Sequence, residues 1–516
     1  MPYAIVINIF IYWFSASIYM FGVWLDFNFG GATFDQILYH LQFGVGRLVK
    51  TDIFMLKSFI KSCLLFPIIP AILVGTSMLY LCNKYSPRRR SLVIMANVLP
   101  VLVLVGVTSV TLQKLSFWQY FDYRGSEAFY AQQYVAPSAI TPPPSPRNLI
   151  LIYVESLENT YSDIGMFGKD LLADINHATR TAQSFNEYRR ADGSDWTIAG
   201  IVATQCGIPL RTFGFRGNRF GEALKAFLPN AMCLGDILKQ AGYKNIFMGG
   251  ATLKFAGKGT FFRSHGYDEL YGQEEWAARG DTAFKYYWGL DDAALLRHAR
   301  DRIEELEASN TLYNLTLLTL NTHHPTGSIH DDCALTGTPQ FPVVLECTSQ
   351  LLAQFLDGLK NDGYLRNTDV IMLGDHLAMA NTLYPQMIRA PKRTIYNKFI
   401  TAAPLEKNRD FLYPFDMYPS ILYAMGFRFP ESRAGLGLSG FGPVNQSLAI
   451  NNVKNLGGKL MGDSERYRRF WETPHARSIA LTPPSPISPG YAAGRHPSPS
   501  APPYGTQATG SGSYIK

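Results

Sequence analysis

Asn148-Leu-Ile-Leu-Ile-Tyr-Val-Glu-Ser156 is a near-continuous apolar run that ends in a carboxylate and a hydroxyl. An apolar run of this length without polar alternation is typical of a strand buried on both faces of a parallel sheet. Similar runs alternate along the chain with stretches of helical periodicity, which predicts an α/β fold with a mostly parallel central sheet. The further apolar runs are 245–248, 313–320 and 369–373, and the clearest helical stretches are 291–308 and 347–360.

Candidate catalytic residues lie at the ends of these elements, where α/β folds place their chemistry. Glu155 closes the first strand, Asp375 and His376 close the last strong one, and Thr197 begins a helical run after a polar turn. Carboxylates with an imidazole suit a Zn or Mn ion. A helix amino terminus favours an alkoxide and a bound phosphate. A hydroxyl nucleophile needs a metal or a base, which these neighbours could supply.

Two of these residues also fit purely structural roles. Glu155 could be a buried acid paired with a basic residue, and Thr197 could simply cap its helix. The sequence pattern alone leaves both alternatives open.

Three uncharged, apolar runs near the amino terminus are long enough to span a bilayer, which needs about 20 such residues. They cover 5–24, 62–82 and 91–113 and predict a membrane domain over 1–113. A cleaved signal peptide is the competing interpretation of the first run, but that run lacks the basic segment with which signal peptides begin.

The charge distribution agrees with this membrane domain. Of the net charge of +7, six charges belong to the residues up to Lys114, so the remainder is nearly neutral and a nucleic-acid partner is not expected. The short segment Asn83–Arg90 carries four basic residues, which predicts that it faces the cytoplasm. Everything after the third span would then be periplasmic, on a bacterial inner membrane.

The exterior part divides by composition into three pieces. Residues 114–146 end in a Pro-rich run and predict a stiff, extended linker. Residues 147–455 hold the alternating strands and helices of the catalytic domain. Residues 456–516 are rich in Pro, Ser and Gly and predict a disordered tail.

Four cysteines of the exterior part fall into two locally spaced pairs, Cys206 with Cys233 and Cys333 with Cys347. An even number of cysteines in a domain assigned to an oxidising compartment predicts two disulfides. Four buried free thiols are the alternative.

The order of several motifs resembles that of sulfatase-like membrane transferases. It is most similar to phosphoglycerol transferases that modify osmoregulated periplasmic glucans and more distantly similar to lipoteichoic acid synthases. This resemblance implies an alkaline-phosphatase/sulfatase-like sandwich. The motifs that carry it are Asn148-Leu-Ile-Leu-Ile-Tyr-Val-Glu-Ser156, Asp195-Trp-Thr-Ile-Ala-Gly200, Thr322-His-His-Pro325 and Gly374-Asp-His376.

The resemblance also implies the site. One divalent metal is expected, usually manganese, with magnesium or zinc as alternatives, and Thr197 is the implied nucleophile. The implied metal ligands are Glu155, Thr197, Asp375 and His376, and the implied pocket residues are Phe255, Lys258 and His323.

The implied reaction moves glycerol phosphate from phosphatidylglycerol to a periplasmic glucan and releases diacylglycerol. His323 would transfer protons or stabilise charge, and both roles fit. Two other functions stay open at this point. One is transfer of phosphoethanolamine to lipid A or another glycan, and the other is a non-catalytic, membrane-tethered binding domain. A binding domain would have no reason to retain the nucleophile together with all of its metal ligands.

Overall fold

The computed structural model describes residues 2–42, 53–84, 89–121, 123–212, 224–285, 288–330, 333 and 340–472. The α-helices are α1 (Pro2–Phe29), α2 (Phe34–Gln42), α3 (Ile53–Phe59, continued by a π-helical stretch Ile60–Leu65), α4 (Ile68–Lys84), α5 (Arg89–Lys114), α6 (Tyr123–Gln133), α7 (Ile164–Phe167), α8 (Ala173–Ala178), α9 (Thr197–Cys206), α10 (Leu234–Gln240), α11 (Lys258–Ser264), α12 (Gln273–Ala278), α13 (Asp292–Ala308), α14 (Phe341–Asn361), α15 (Tyr384–Met387), α16 (Pro414–Ala424), α17 (Leu456–Met461) and α18 (Glu465–Arg468). Short 3₁₀ turns lie at Phe117–Phe121, Asn159–Ser162, Phe255–Gly257, Tyr364–Arg366, Pro430–Ser432, Gln446–Leu448, Ile450–Asn452 and Arg469–Trp471.

Six strands form the main sheet, in the order β4-β3-β7-β1-β8-β9. All neighbouring pairs are parallel except β8 with β9, which are antiparallel. The predicted α/β class with a mostly parallel sheet is therefore confirmed. The strands are β1 (Asn148–Val154), β2 (Glu187–Tyr188), β3 (Lys244–Gly249), β4 (Glu269–Tyr271), β5 (Phe284–Lys285), β6 (Gly289–Leu290), β7 (Tyr313–Leu318), β8 (Thr368–Gly374), β9 (Asn397–Ile400), β10 (Phe411–Leu412), β11 (Arg433–Ala434) and β12 (Gly437–Leu438).

Strand β1 lies at the centre of the sheet and is buried along its whole length. Its alternate side chains enter two separate hydrophobic cores, because successive side chains of a strand point to opposite faces. Leu151 and Tyr153 belong to the core that contains α9 and α16. Ile150 and Ile152 belong to the core that contains α13 and α14. The catalytic domain is thus a sandwich with helices on both faces of one sheet.

Among the residues that the structure describes, two helices are long and apolar enough to cross a membrane, over Val6–Phe29 and Leu56–Met78. Helix α1 packs against both α4 and α5. The third predicted span, 91–113, lies on α5. The part of α5 from Val98 to Lys114 is apolar but shorter than the other two helices. Two candidate spans are therefore found, and the third stays a prediction.

Helices lie in both segments that flank the predicted catalytic domain of residues 147–455. Helix α6 lies within the segment assigned to an extended linker, and α17 and α18 lie at the start of the segment assigned to a disordered tail. These helices pack against each other: Ser126 Oγ donates to the carbonyl oxygen of Lys459 at 2.8 Å, and Tyr130 OH donates to that of Leu460 at 2.9 Å. Residues 473–516, the rest of the predicted tail, lie outside the described residues.

The packing of α18 generates a stability prediction. The Tyr467 ring is buried, and its hydroxyl donates to the Pro209 carbonyl at 2.8 Å and accepts from the Arg211 N–H at 2.8 Å. Tyr467→Ala should lower the free energy of unfolding by about 3–5 kcal/mol, through lost burial and a cavity. Tyr467→Phe should lower it by about 1–3 kcal/mol, because it removes only the hydroxyl. Thermal and denaturant unfolding of the full chain measure both.

The neighbouring Glu465 is exposed, so Glu465→Ala should change stability by no more than about 0.5 kcal/mol. Wild-type stability of Tyr467→Ala would show that α18 does not belong to the folded domain.

Candidate active site

The four predicted metal ligands converge at one edge of the sheet. Glu155 directly follows β1, and Asp375 and His376 directly follow β8. The two strands pair in parallel with Val154 opposite Gly374, so the chain register places Glu155 beside Asp375. Thr197 is the first residue of α9, whose amino terminus faces the same edge.

The functional atoms of this cluster lie close together. Ligand atoms of Glu155, Asp375 and His376 are all within 4.8 Å of one another, and all three side chains are buried. His376 Nε2 lies 3.6 Å from Glu155 Oε1 and 3.5 Å from Asp375 Oδ2. The Thr197 hydroxyl donates to Glu155 Oε2 at 3.3 Å.

Thr197 does not cap its helix, which was its alternative role. Trp196, not Thr197, occupies the capping position of α9, and no side chain caps this helix. The Thr197 hydroxyl instead points into the acidic cluster. Glu155 has no Arg or Lys within ion-pair distance among the described residues, but its Oε1 lies 3.6 Å from Nε2 of His376, the basic residue with which it pairs.

Hydrogen bonds from outside the cluster orient the ligands toward its centre. His376 Nδ1 donates to the Leu377 carbonyl at 2.7 Å, which leaves Nε2 as the nitrogen that faces the carboxylates. Asp375 Oδ1 accepts from the backbone N–H groups of Ser156 at 2.8 Å and His376 at 2.9 Å. Asp375 Oδ2 is buried and, among the described residues, accepts no hydrogen bond. A buried carboxylate oxygen of this kind, beside a second carboxylate and an imidazole, fits a divalent cation.

The charges of the cluster shift the pKa values of its members in different directions. Burial, and then the charge of Glu155, raise the pKa of Asp375 above its ordinary range. Burial would also raise the pKa of Glu155, but His323, His376 and the Ser156 hydroxyl lower it overall. Burial opposes the positive charge of His376, yet the two carboxylates raise its pKa.

The predicted pocket residues surround this cluster. Lys258 begins α11 and is only 5% exposed, and its Nζ lies 5.2 Å from the centre of the Phe255 ring. Burial lowers the pKa of Lys258 to about 8, although Glu155 and Asp375 attract its charge. His323 Nδ1 donates to the His324 carbonyl at 2.8 Å, so Nε2 is the ring nitrogen left for proton transfer. Burial lowers the pKa of His323.

Sequence reasoning missed the residues that hold His323 and Glu155 in place. The Ser156 hydroxyl donates to Glu155 Oε1 at 2.7 Å, and its position directly after Glu155 was the available signal. Asp292 accepts the backbone N–H groups of Leu320 at 2.7 Å and Asn321 at 2.9 Å, just before His323. Nothing in the local sequence of Asp292 distinguishes it from an ordinary acid in the first turn of a helix.

The four exterior cysteines are paired as predicted from their spacing. Cys206 is bonded to Cys233, and Cys333 is bonded to Cys347. The first bridge links the last residue of α9 to the residue that precedes α10. The helix that presents Thr197 is therefore covalently tied at its far end.

Comparison with known proteins adds family context. The sulfatase family model matches residues 147–427. The chain is 33% identical over 362 residues to phosphoglycerol transferase I of Shigella flexneri, covering 68% of this chain and 46% of the relative. It is 37% identical over 280 residues to phosphoglycerol transferase I of Citrobacter koseri, covering 53% of this chain and 36% of the relative. The chain thus spans less than half the length of these relatives.

Among solved structures, the lipoteichoic acid synthase LtaP from Listeria monocytogenes is similar at a TM-score of 0.46 and 14% identity. The similarity covers 58% of this chain and 76% of LtaP.

The closeness of α9 to β8 yields a packing prediction. A Cβ at Gly200 would overlap the carbonyl oxygen of Asp375, whereas a Cβ at Gly106 of α5 would meet no atom within 4 Å. Gly200→Ala should cost about 1–3 kcal/mol of stability and weaken Mn²⁺ binding, because α9 or Asp375 must move. Gly106→Ala should keep both wild-type stability and wild-type Mn²⁺ binding. Thermal unfolding and Mn²⁺ titration followed by electron paramagnetic resonance check this, and unchanged Mn²⁺ binding in Gly200→Ala would contradict it.

The raised pKa values of Asp375 and His376 predict how metal binding depends on pH. Both groups must be deprotonated to bind a cation, so protons compete with it. Mn²⁺ affinity should therefore fall as the pH is lowered from 8 to 6, by up to about tenfold per pH unit for each proton displaced. Asp375→Asn should abolish the high-affinity site, whereas the exposed Asp174→Asn should retain it. Calorimetric titration with Mn²⁺ alone measures this, and a pH-independent affinity would disprove it.

Proposed function

The chain belongs to the sulfatase family, and from this we propose that it is a phosphoglycerol transferase whose nucleophile is Thr197. The single observation that carries the proposal is the Thr197 hydroxyl, which donates to Glu155 at the edge of the buried cluster with Asp375 and His376. The two phosphoglycerol transferases I that match the chain support glycerol phosphate as the transferred group.

The proposed metal ligands are Glu155, Asp375 and His376, together with the Thr197 oxygen. A bound divalent cation, for which we propose manganese, would lower the pKa of the Thr197 hydroxyl and offset negative charge on the phosphoryl group. Lys258, as a buried point charge beside the Phe255 ring, would bind a phosphoryl oxygen.

In the first half-reaction Thr197 Oγ1 attacks the phosphorus of phosphatidylglycerol. The bond between phosphorus and the diacylglycerol oxygen breaks, and phosphoglycerol remains on Thr197 as a phosphodiester. One proton moves from the Thr197 hydroxyl to the departing oxygen, which leaves as diacylglycerol. We propose that His323 delivers that proton or stabilises the charge on the oxygen.

In the second half-reaction an acceptor hydroxyl attacks the same phosphorus, and the bond to Thr197 Oγ1 breaks. His323 Nε2 takes the proton of the acceptor hydroxyl, because its other ring nitrogen is already engaged with the His324 carbonyl. His323 then passes that proton to the departing Thr197 Oγ1, so that both residues return to their starting states and the cycle closes. We propose a periplasmic glucan as the acceptor.

The membrane helices fit a lipid donor. We propose that the chain is anchored in a bacterial inner membrane by three spans, the third on α5, with the catalytic domain in the periplasm. The basic segment Asn83–Arg90 would then be cytoplasmic. A membrane-anchored domain would encounter its lipid donor by diffusion in the plane of the bilayer. The acceptor would arrive from the aqueous side.

The test is diacylglycerol release from vesicles by the full chain in the presence of Mn²⁺. Wild type should release diacylglycerol from vesicles that contain phosphatidylglycerol, and Thr197→Ala should lower the rate by at least about 10³-fold, because the nucleophile is lost. Thr282→Ala removes an exposed hydroxyl and should retain wild-type activity.

Other results would redirect the proposal. Release from phosphatidylethanolamine instead would make the chain a phosphoethanolamine transferase. No release from either lipid and no bound metal would favour the non-catalytic binding domain. Full activity of Thr197→Ala would remove Thr197 from its proposed role.

A further inference from the structure

The segment between the first two membrane helices leaves the helical bundle and packs on the catalytic domain. This inter-helix segment consists of Phe29 at the end of α1, the turn that follows and helix α2. The Asp35 carboxylate is buried and accepts hydrogen bonds from the backbone N–H of Thr212 at 3.1 Å and from its hydroxyl at 2.6 Å. The carbonyl oxygen of Gly30 accepts from the Tyr384 hydroxyl at 3.0 Å.

A third attachment reaches the active site itself. The Tyr39 ring is fully buried, and its hydroxyl donates to the Ala256 carbonyl at 2.8 Å. Ala256 lies between Phe255 and Lys258, the predicted pocket residues. The Tyr39 ring also lies 5.9 Å from the ring of Trp196, the residue before Thr197. Helix α2 therefore packs against the segment that carries the pocket residues and against the residue that precedes the proposed nucleophile.

His40 follows Tyr39 and is the polar group that this attachment brings to the site. Its ring lies 6.4 Å from that of Trp196 and 6.3 Å from that of Phe255. The side chain is half-buried, and no described residue hydrogen-bonds to its ring. Burial lowers the pKa of His40 to about 4, so the ring is neutral at physiological pH. A neutral imidazole offers one N–H donor and one acceptor nitrogen.

The other end of the segment contacts the site through a different residue, His324. The Phe29 ring packs edge-on to the His324 ring, with centres 6.1 Å apart, and the His324 ring stacks on that of His323 at 4.4 Å. The segment therefore contacts the site near Phe255 and again near His323. Because Phe29 is the last residue of an apolar helix, this wall of the site continues into the proposed membrane anchor.

We propose that the inter-helix segment forms the membrane-side wall of the catalytic pocket, and that His40 is a donor-positioning residue that hydrogen-bonds the headgroup of the lipid donor. This inference rests on the proposed function. A lipid headgroup must reach Thr197 while its acyl chains remain in the bilayer. A pocket wall that is continuous with a membrane helix would allow both. The neutral imidazole of His40 can donate to a phosphoryl oxygen or accept from a glycerol hydroxyl.

The test is a matched pair of substitutions at His40. His40→Phe keeps an aromatic ring against Trp196 and Phe255 but removes both polar nitrogens. His40→Gln keeps a donor and an acceptor but removes the ring. The rate of diacylglycerol release is measured for the full chain in mixed micelles at increasing mole fraction of phosphatidylglycerol, with Mn²⁺ present.

Positioning of the headgroup predicts an apparent KM about tenfold higher for His40→Phe, with kcat changed by less than about threefold. His40→Gln should stay within about threefold of wild type in both constants. The exposed His177, on α8, provides the matched control His177→Ala, which should equal wild type.

If His40→Phe had wild-type constants and His40→Gln were impaired, the ring of His40 would matter only for packing. That result would overturn the proposal. Wild-type constants for both variants would also overturn it, while leaving the proposed function intact. If wild type itself releases no diacylglycerol from phosphatidylglycerol, the proposed function fails and this inference fails with it.

Discussion

Two carboxylates that the sheet places side by side, Glu155 and Asp375, are the constraint on which the rest of the catalytic domain depends. Parallel pairing of β1 with β8 brings them together and buries them, and burial of two like charges is costly without a cation. The structure offsets this cost with backbone N–H groups, with the His376 imidazole and with a raised pKa at Asp375. The acidic cluster is thus a candidate site for a divalent cation.

The proposed nucleophile, Thr197, reaches the cluster through close packing. Helix α9 approaches the end of β8 so tightly that Gly200 has no space for a side chain beside the Asp375 carbonyl. The bridge between Cys206 and Cys233 holds the other end of the same helix. Hydroxyl and carboxylate are therefore held by rigid elements, and this reduces the rearrangement that a reaction at Thr197 would require.

The helices near the amino terminus are integrated with the catalytic domain. Asp35 and Tyr39 of α2 form buried hydrogen bonds with Thr212 and Ala256, so the domain is not carried on a free tether. Helix α6, expected as part of an extended spacer, instead packs against α17. For the proposed lipid donor, this arrangement would set the distance and orientation between the candidate membrane helices and Thr197.

The sequence by itself determined the alternation of strands and helices, the cysteine pairs and the residues of the acidic cluster, because each depends on a local pattern or on a short motif. Only the tertiary structure decided which distant segments complete the domain. Tyr130 and Leu460, or Tyr39 and Ala256, are hundreds of residues apart, and no periodicity in either segment encodes its partner. The role proposed for His40 depends on tertiary structure in the same way, because the fold alone brings the rings of Trp196 and Phe255 beside it.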